Sequence, residues 1–218
     1  LECNSGISGD MMVGALLDLG ADRQVLEQGL KSLGVGGYHL HFGRKTVCGL
    51  DAFDFDVHLE EDGDTNRENE RVQGCGKSGE HAYAHSHEGG GGHEHLHSHE
   101  HSGEHEHTHS HGHAHAHRNL YAIYHIIDRL DSNERVKELA RRMFRIVAEA
   151  EAKAHGLPLE QVHFHEVGAV DSIVDMISVA LCMDNLGIED VVVSALAEGH
   201  GFVHCQHGIL PVPVPATV

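Results

Sequence analysis

His163 and His165 stand two residues apart, with Glu166, Asp171 and Asp175 following closely. On a strand, residues two apart point to the same face, so the two imidazoles would act together while Glu166 sits in the turn that follows. Asp171 and Asp175 are four apart and share a helix face. Imidazoles and carboxylates converging at a strand-to-helix turn are what a metal site with a neighbouring proton acceptor requires. His165 or Asp171 is the candidate base, and Asp10, Glu166 and Asp175 complete the catalytic set. Projected around a helix, Asp171, Asp175, Ser178 and Cys182 form one narrow stripe, and Val170, Ile173, Val174, Met176, Ile177 and Leu181 fill the rest. A helix so apolar is mostly buried, and its polar stripe either faces water or lines a site.

Two further groupings carry chemistry. Cys205 and His207 pair a thiolate with an imidazole, a donor set suited to nickel, with His163 and His165 as further ligand candidates and His200 and His204 close by in sequence. The alternative is a turn set by Gly208 and Pro211, in which Cys205 packs as a small apolar residue. Near the start, Ser5, Gly6, Ser8 and Gly9 leave backbone N–H groups open ahead of a helix, which suits a phosphate. Asp10 would repel a bare phosphate, so the loop fits a cation–phosphate pair better, unless Asp10 only satisfies the helix dipole, worth at most about 1 kcal/mol.

The densest grouping is a tract of fifteen histidines between His81 and His117. After His81 come His85, His87, His93, His95, His97, His99, His101, His105, His107, His109, His111, His113, His115 and His117, spaced mostly by Glu, Ser, Gly and Ala. Each imidazole is a nitrogen donor, and flexible neighbours let several close around one nickel, zinc, copper or cobalt ion. Affinity order favours copper, so the tract does not identify its own metal. It is either a reservoir feeding a nearby site or a simple metal sponge.

The elements that must position these groups fall on either side of the tract. Residues 10–19 and 22–33 read as helices closed by Gly20 and Gly34, and residues 38–47 and 53–59 as a half-buried hairpin. Beyond the tract, residues 120–130, 134–154 and 170–186 read as helices, residues 162–164 and 191–196 as strands, and residues 199–218 as loop. His155, Gly156 and Pro158 look like ordinary helix-stop signals. The fold class is α/β (or α+β). A helix and hairpin block over 1–59 and a helical α/β block over 118–218 complete one domain around a disordered, acidic, His-rich insertion at 60–117 that lacks core-forming residues.

Charge narrows the partners. Fifteen Lys and Arg against thirty-four Asp and Glu give a net charge of −19, which disfavours nucleic acid and an anionic bilayer. Five scattered cysteines without a C-x-x-C pair write neither a disulfide framework nor a structural zinc site, and point to a reducing cytoplasm. No apolar run reaches the ~18 residues of a membrane span. An opening at Leu1 without methionine and a stop at Val218 within a proline-rich segment suggest a fragment.

Three stretches carry a family resemblance. They are Ser5-Gly6-Ile7-Ser8-Gly9-Asp10-Met11 continuing through Gly14 to Gly20, then Val162-His163-Phe164-His165-Glu166-Val167-Gly168-Ala169-Val170-Asp171-Ser172-Ile173-Val174-Asp175, and finally Cys205-Gln206-His207-Gly208-Ile209-Leu210-Pro211-Val212-Pro213. With the histidine-rich insertion between the first two, the sequence resembles the amino-terminal part of the nickel-insertion (LarC-type) proteins. The resemblance implies a nickel chelatase, or cyclometallase, that loads nickel into pyridinium-3,5-bisthiocarboxylic acid mononucleotide to give the nickel-pincer cofactor of lactate racemase. It also implies dependence on CTP and a divalent cation (manganese or magnesium) through a carboxy-terminal region absent from this chain, with the lactate racemase apoprotein as an acceptor. Two other functions compete: a nickel store or metallochaperone without catalysis, and a phosphohydrolase using Asp10, Asp171 and Asp175 around magnesium or manganese.

Overall fold

The computed structural model describes residues 1–4, 6–60, 118–164, 167–205 and 207–218. The histidine tract and the insertion around it lie outside the described residues.

Near the amino end, α1 (Gly9–Asp18) and α2 (Arg23–Ser32) form a short helical pair. Asp22 caps α2 by accepting from Gln24 N at 2.8 Å, and its own N–H reaches Asn185 Oδ1 at 2.7 Å. A hairpin follows, β1 (Tyr38–Val47) and β2 (Leu50–Leu59), joined through Cys48 and Gly49. Both joining residues have positive φ, 51° and 82°, the turn geometry that matches strand twist. The antiparallel register sets Phe42 opposite Phe55 and Leu40 opposite Val57 on the core side. The opposite face carries His39, His41, Lys45, Asp54, Asp56 and His58.

After the tract, β3 (Arg118–Asn119) pairs antiparallel with β4 (His163–Phe164), and between them run α3 (Leu120–Asp128) and α4 (Glu134–His155). Asn119 and Asn133 cap these helices through Ala122 N and Val136 N. Gly156, at φ 65°, ends α4 in the left-handed conformation. Helix α5 (Val170–Asn185) then packs against α1, α2, α4 and β2. Its Ile173, Val174, Ile177, Ala180 and Leu181 are buried, joining Val13, Leu16, Leu26, Leu30, Phe55, Ile123, Phe144 and Phe164 in one core. Burying so many large side chains, at about 1.5–3 kcal/mol each, is what holds blocks on either side of the tract together.

Helices and small antiparallel sheets make the mixed α/β class expected, and the helices fall where capping and periodicity placed them. Two expectations for the tail fail. Residues 191–196 form no regular strand, although they run beside the first residues, with Leu1 N donating to Val192 O at 2.7 Å and Ser194 N to Leu1 O at 3.0 Å. The segment read as loop contains a hairpin, β5 (Gly201–Cys205) with β6 (Gly208–Val212), turning through Gly208 at φ 92°. Glycine marked the turn, but the short alternating runs flanking it were too exposed and too interrupted by polar residues and proline to announce a sheet. No helix among the described residues is long and apolar enough to cross a membrane.

Candidate functional site

Helix α1 begins at a loop of small residues, and α5 crosses its start. A Cβ built on Gly9 would lie 2.5 Å from Asp175 Oδ2 and 2.7 Å from Asp175 Cβ, so only glycine allows this approach. Asp10 and Asp171 both raise the Asp175 pKa through their charge, and Asp56 of β2 adds to the effect. Ser8 does not cap α1 with its side chain; its hydroxyl donates to Asp10 Oδ1 instead. Asp171 Oδ1 accepts from Ser172 N at 2.8 Å.

The electrostatic consequence falls on Asp175. Burial first, then the charges of Asp10, Asp171 and Asp56, push its carboxyl up to about 7 from 3.8. Its Oδ1 is buried with no hydrogen-bond partner among the described residues, and so is Ser178 Oγ on the next turn. Buried polar atoms are rarely left so, which makes Asp175 Oδ1 and Ser178 Oγ a candidate place for a ligand. The stripe of Asp171, Asp175, Ser178 and Cys182 is not simply a water-facing strip: Ser178 and Cys182 are buried, and Asp171 and Asp175 are half-buried. Burial also pushes the Cys182 thiol up to about 12, in keeping with a cysteine packed as a small apolar residue.

The opening loop fits a cation better than a bare anion, because a phosphate at Gly9 would meet the carboxylates of Asp10 and Asp175 together. Gly6 turns with φ 84° beside Ala197 O. Ser5, His165 and Glu166 lie outside the described residues, as does the whole histidine tract, so the expectations placed on them stay as they were. His163 is exposed on β4.

A second grouping surrounds a cavity of about 540 Å³ between α4 and the tail hairpin. Its walls are apolar, with Val147, Ala150, Val167 and Leu210 among them, and Cys205, His207, His155 and Glu151 supply its polar atoms. The rings of His155 and His207 are 5.0 Å apart, and Glu151 Oε2 lies 3.3 Å from His155 Nε2. Cys205 Sγ donates to Gly208 O at 3.5 Å. His155 was read in the sequence only as part of a helix-stop signal, and Glu151 was not singled out. The four-residue spacing of an acid and a histidine on one helix face was the available clue. His163 does not line this cavity, so the structure does not gather all four expected nickel ligands there. Among the described residues, no three His, Cys, Asp or Glu side chains already converge to hold a metal ion.

The sequence profile of the nickel insertion protein family matches residues 1–218. The chain belongs to the nickel insertion protein family. It is 49% identical over 216 residues to the pyridinium-3,5-bisthiocarboxylic acid mononucleotide nickel insertion protein of Alkaliphilus metalliredigens, covering 99% of this chain and 43% of that protein. The protein of the same name from Clostridium acetobutylicum is 46% identical over 218 residues, covering all of this chain and 47% of the relative. The one from Geobacillus kaustophilus is 39% identical, covering all of this chain and 43% of the relative. The chain thus spans less than half the length of these relatives. No solved structure matches it.

Proposed function

We propose that this chain takes part in inserting nickel into pyridinium-3,5-bisthiocarboxylic acid mononucleotide, as a nickel chelatase, and that its acidic cluster takes up the proton leaving the ring carbon. Nickel(II) is cargo in this reaction. A nickel–carbon bond forms as a ring C–H bond breaks, the two thiocarboxylate sulfurs complete the pincer, and the proton passes to a protein base. The observation that carries the reading is Asp175. Its carboxyl is wedged against Gly9 with one oxygen unpartnered and a pKa raised to about 7, close to the value at which a general base works best near neutral pH. Asp10 and Asp171 keep the site negative, which favours the incoming cation.

CTP, a divalent cation such as manganese or magnesium, and transfer of the product to lactate racemase belong to the same reading, and no residue of this chain is assigned to them. The test is to mix the full-length protein with nickel(II), CTP, manganese(II) and the mononucleotide and weigh the product. The expected mass rises by one nickel less the displaced protons. Substrate of unchanged mass beside nickel-loaded protein would favour a storage or metallochaperone role instead.

A further inference from the structure

We propose that His39, His41 and His58, with Asp56, form a nickel(II)-binding site on the outer face of the β1–β2 hairpin. The register makes the grouping: His39 pairs with His58 and His41 with Asp56, so three imidazoles and a carboxylate occupy two adjacent cross-strand positions on one face. The His39 and His58 rings lie 5.0 Å apart and those of His41 and His58 5.9 Å apart. Asp56 Oδ2 stands 3.6 Å from His58 Nε2, and Asp54 Oδ2 stands 3.6 Å from His41 Nε2.

The 5.0 Å between His39 and His58 matches what a shared ion needs, and His41, at 5.9 Å from His58, must swing closer to join them. A metal–nitrogen bond of ~2.0–2.1 Å plus about 1.1 Å from nitrogen to ring centre puts ligand rings about 4.5–5 Å apart at octahedral to tetrahedral angles. Three imidazoles are a donor set that nickel, zinc and cobalt accept and that calcium and magnesium do not prefer. What separates the structure from a closed site is ring orientation, since His39 and His58 stack at 11° and present faces rather than converging nitrogens. Rotation about the broad terminal torsion of exposed histidines corrects this at small cost, and both His41 and His58 are about half exposed, at 48%. Asp54 is held by Lys45 Nζ at 2.5 Å, which leaves Asp56 as the carboxylate available to orient or ligate.

The position gives the site a use. Asp56 is also one of the charges acting on Asp175, so an ion held here already lies in the field of the acidic cluster. Leu59 and Glu60, which follow His58, lead directly into the insertion that carries the histidine tract. In sequence the face lies just ahead of that insertion, and a delivery role for it rests on the proposed function, whereas the binding itself does not.

The test uses the whole chain with nickel(II) chloride alone, without substrate or CTP. Diethyl pyrocarbonate acylates accessible neutral imidazoles, and mass spectrometry of peptides reports each histidine separately. Nickel is expected to protect His39, His41 and His58, while His125 on α3, 84% exposed, stays reactive and magnesium chloride protects none of them. His39→Asn is expected to remove protection at His58 as well, because one ion is shared. Asp56→Asn should raise the nickel concentration needed by ~10-fold or more, the usual effect of losing a carboxylate partner. Equal acylation with and without nickel, or protection of His58 that survives His39→Asn, overturns the proposal. Protection in a full-length protein that never inserts nickel would overturn the proposed function and leave this site standing.

Discussion

Asp175 occupies the space that a side chain on Gly9 would need, its Oδ2 2.5 Å and its Cβ 2.7 Å from where a Gly9 Cβ would sit. The clash involves a backbone-anchored atom, so turning the carboxylate aside does not relieve it; α1 and α5 must separate. Gly9→Ala is therefore expected to destabilise by about 1–3 kcal/mol, the range for overpacking, although alanine favours a helix over glycine by ~1 kcal/mol. Nickel insertion by the full-length protein should fall with it. A Gly9→Ala protein that melts higher than the parent and still inserts nickel would show that the close approach is dispensable.

The raised pKa of Asp175 gives a pH signature with a definite sign. In the unfolded chain the carboxyl ionises near 3.8, and in the folded chain at about 7. Between those values the folded chain keeps a proton that the unfolded chain releases. The associated stability is complete below about pH 3.8 and is lost as pH rises toward 7. Asp175→Asn stays neutral throughout. Its melting temperature should gain on the parent as pH rises from about 5 to about 8, while insertion drops by roughly 10²–10⁴-fold for loss of a general base. Paired melts across that range check the first half, and a difference that does not change with pH would remove burial of the ionised form as the cause.

Asp10 acts on the same carboxyl from the start of α1, and its charge is one reason the Asp175 pKa stands high. Asp10→Asn is expected to move the acid limb of the insertion pH profile to lower pH by a fraction of a unit, because Asp175 then loses its proton more easily. Asp51→Asn is the control, since that carboxylate is held by Arg44 at the hairpin end, whereas the charges that raise the Asp175 pKa are those of Asp10, Asp171 and Asp56. An unmoved limb in Asp10→Asn, or the same shift in both variants, would separate Asp175 from the rate.

Much of this was legible in the sequence where the determining interactions are local. Asp22 and Asn133 as caps, Gly156 as a stop and the alternation of Phe53, Phe55 and Val57 are short-range signals, and they placed helices and hairpin correctly. Asp10, Asp171 and Asp175 were named as candidates from their spacing and their place in family motifs. That Asp175 meets Gly9 was not readable, because it depends on the packing of helices far apart in the chain. The histidine face needed the register, since a one-residue slip would have sent His58 to the other side of the sheet, and only the two-residue turn at Cys48 and Gly49 fixes it. His155 passed as a stop signal because its partner His207 reaches it only once the tail hairpin folds over α4, although Glu151, one turn earlier on the same helix, was within view. Residues 191–196 looked like a strand for their apolar run, yet Val191, Val192 and Val193 are exposed and their backbone bonds go to the first residues instead.

The last prediction separates the tract from the chemistry. Residues 80–117 contain almost nothing that builds a core, and residues before and after them form a shared buried cluster among the described residues. Deleting them should leave the far-ultraviolet circular dichroism per remaining helix and the melting temperature close to the parent's, since lengthening or shortening a connection changes closure entropy only slowly. Bound nickel should fall by several ions per chain. The pH dependence of what remains is the informative measurement. Imidazoles bind nickel only when neutral, and with an unperturbed pKa of ~6.5 the tract should unload between about pH 7 and pH 5. The parent should therefore lose most of its nickel across that window, and the shortened chain should show a far smaller loss from its few remaining sites. If calorimetry finds the same number of ions bound before and after deletion, the tract is not the reservoir. If the shortened chain unfolds, the two blocks depend on the insertion in a way their shared core does not predict.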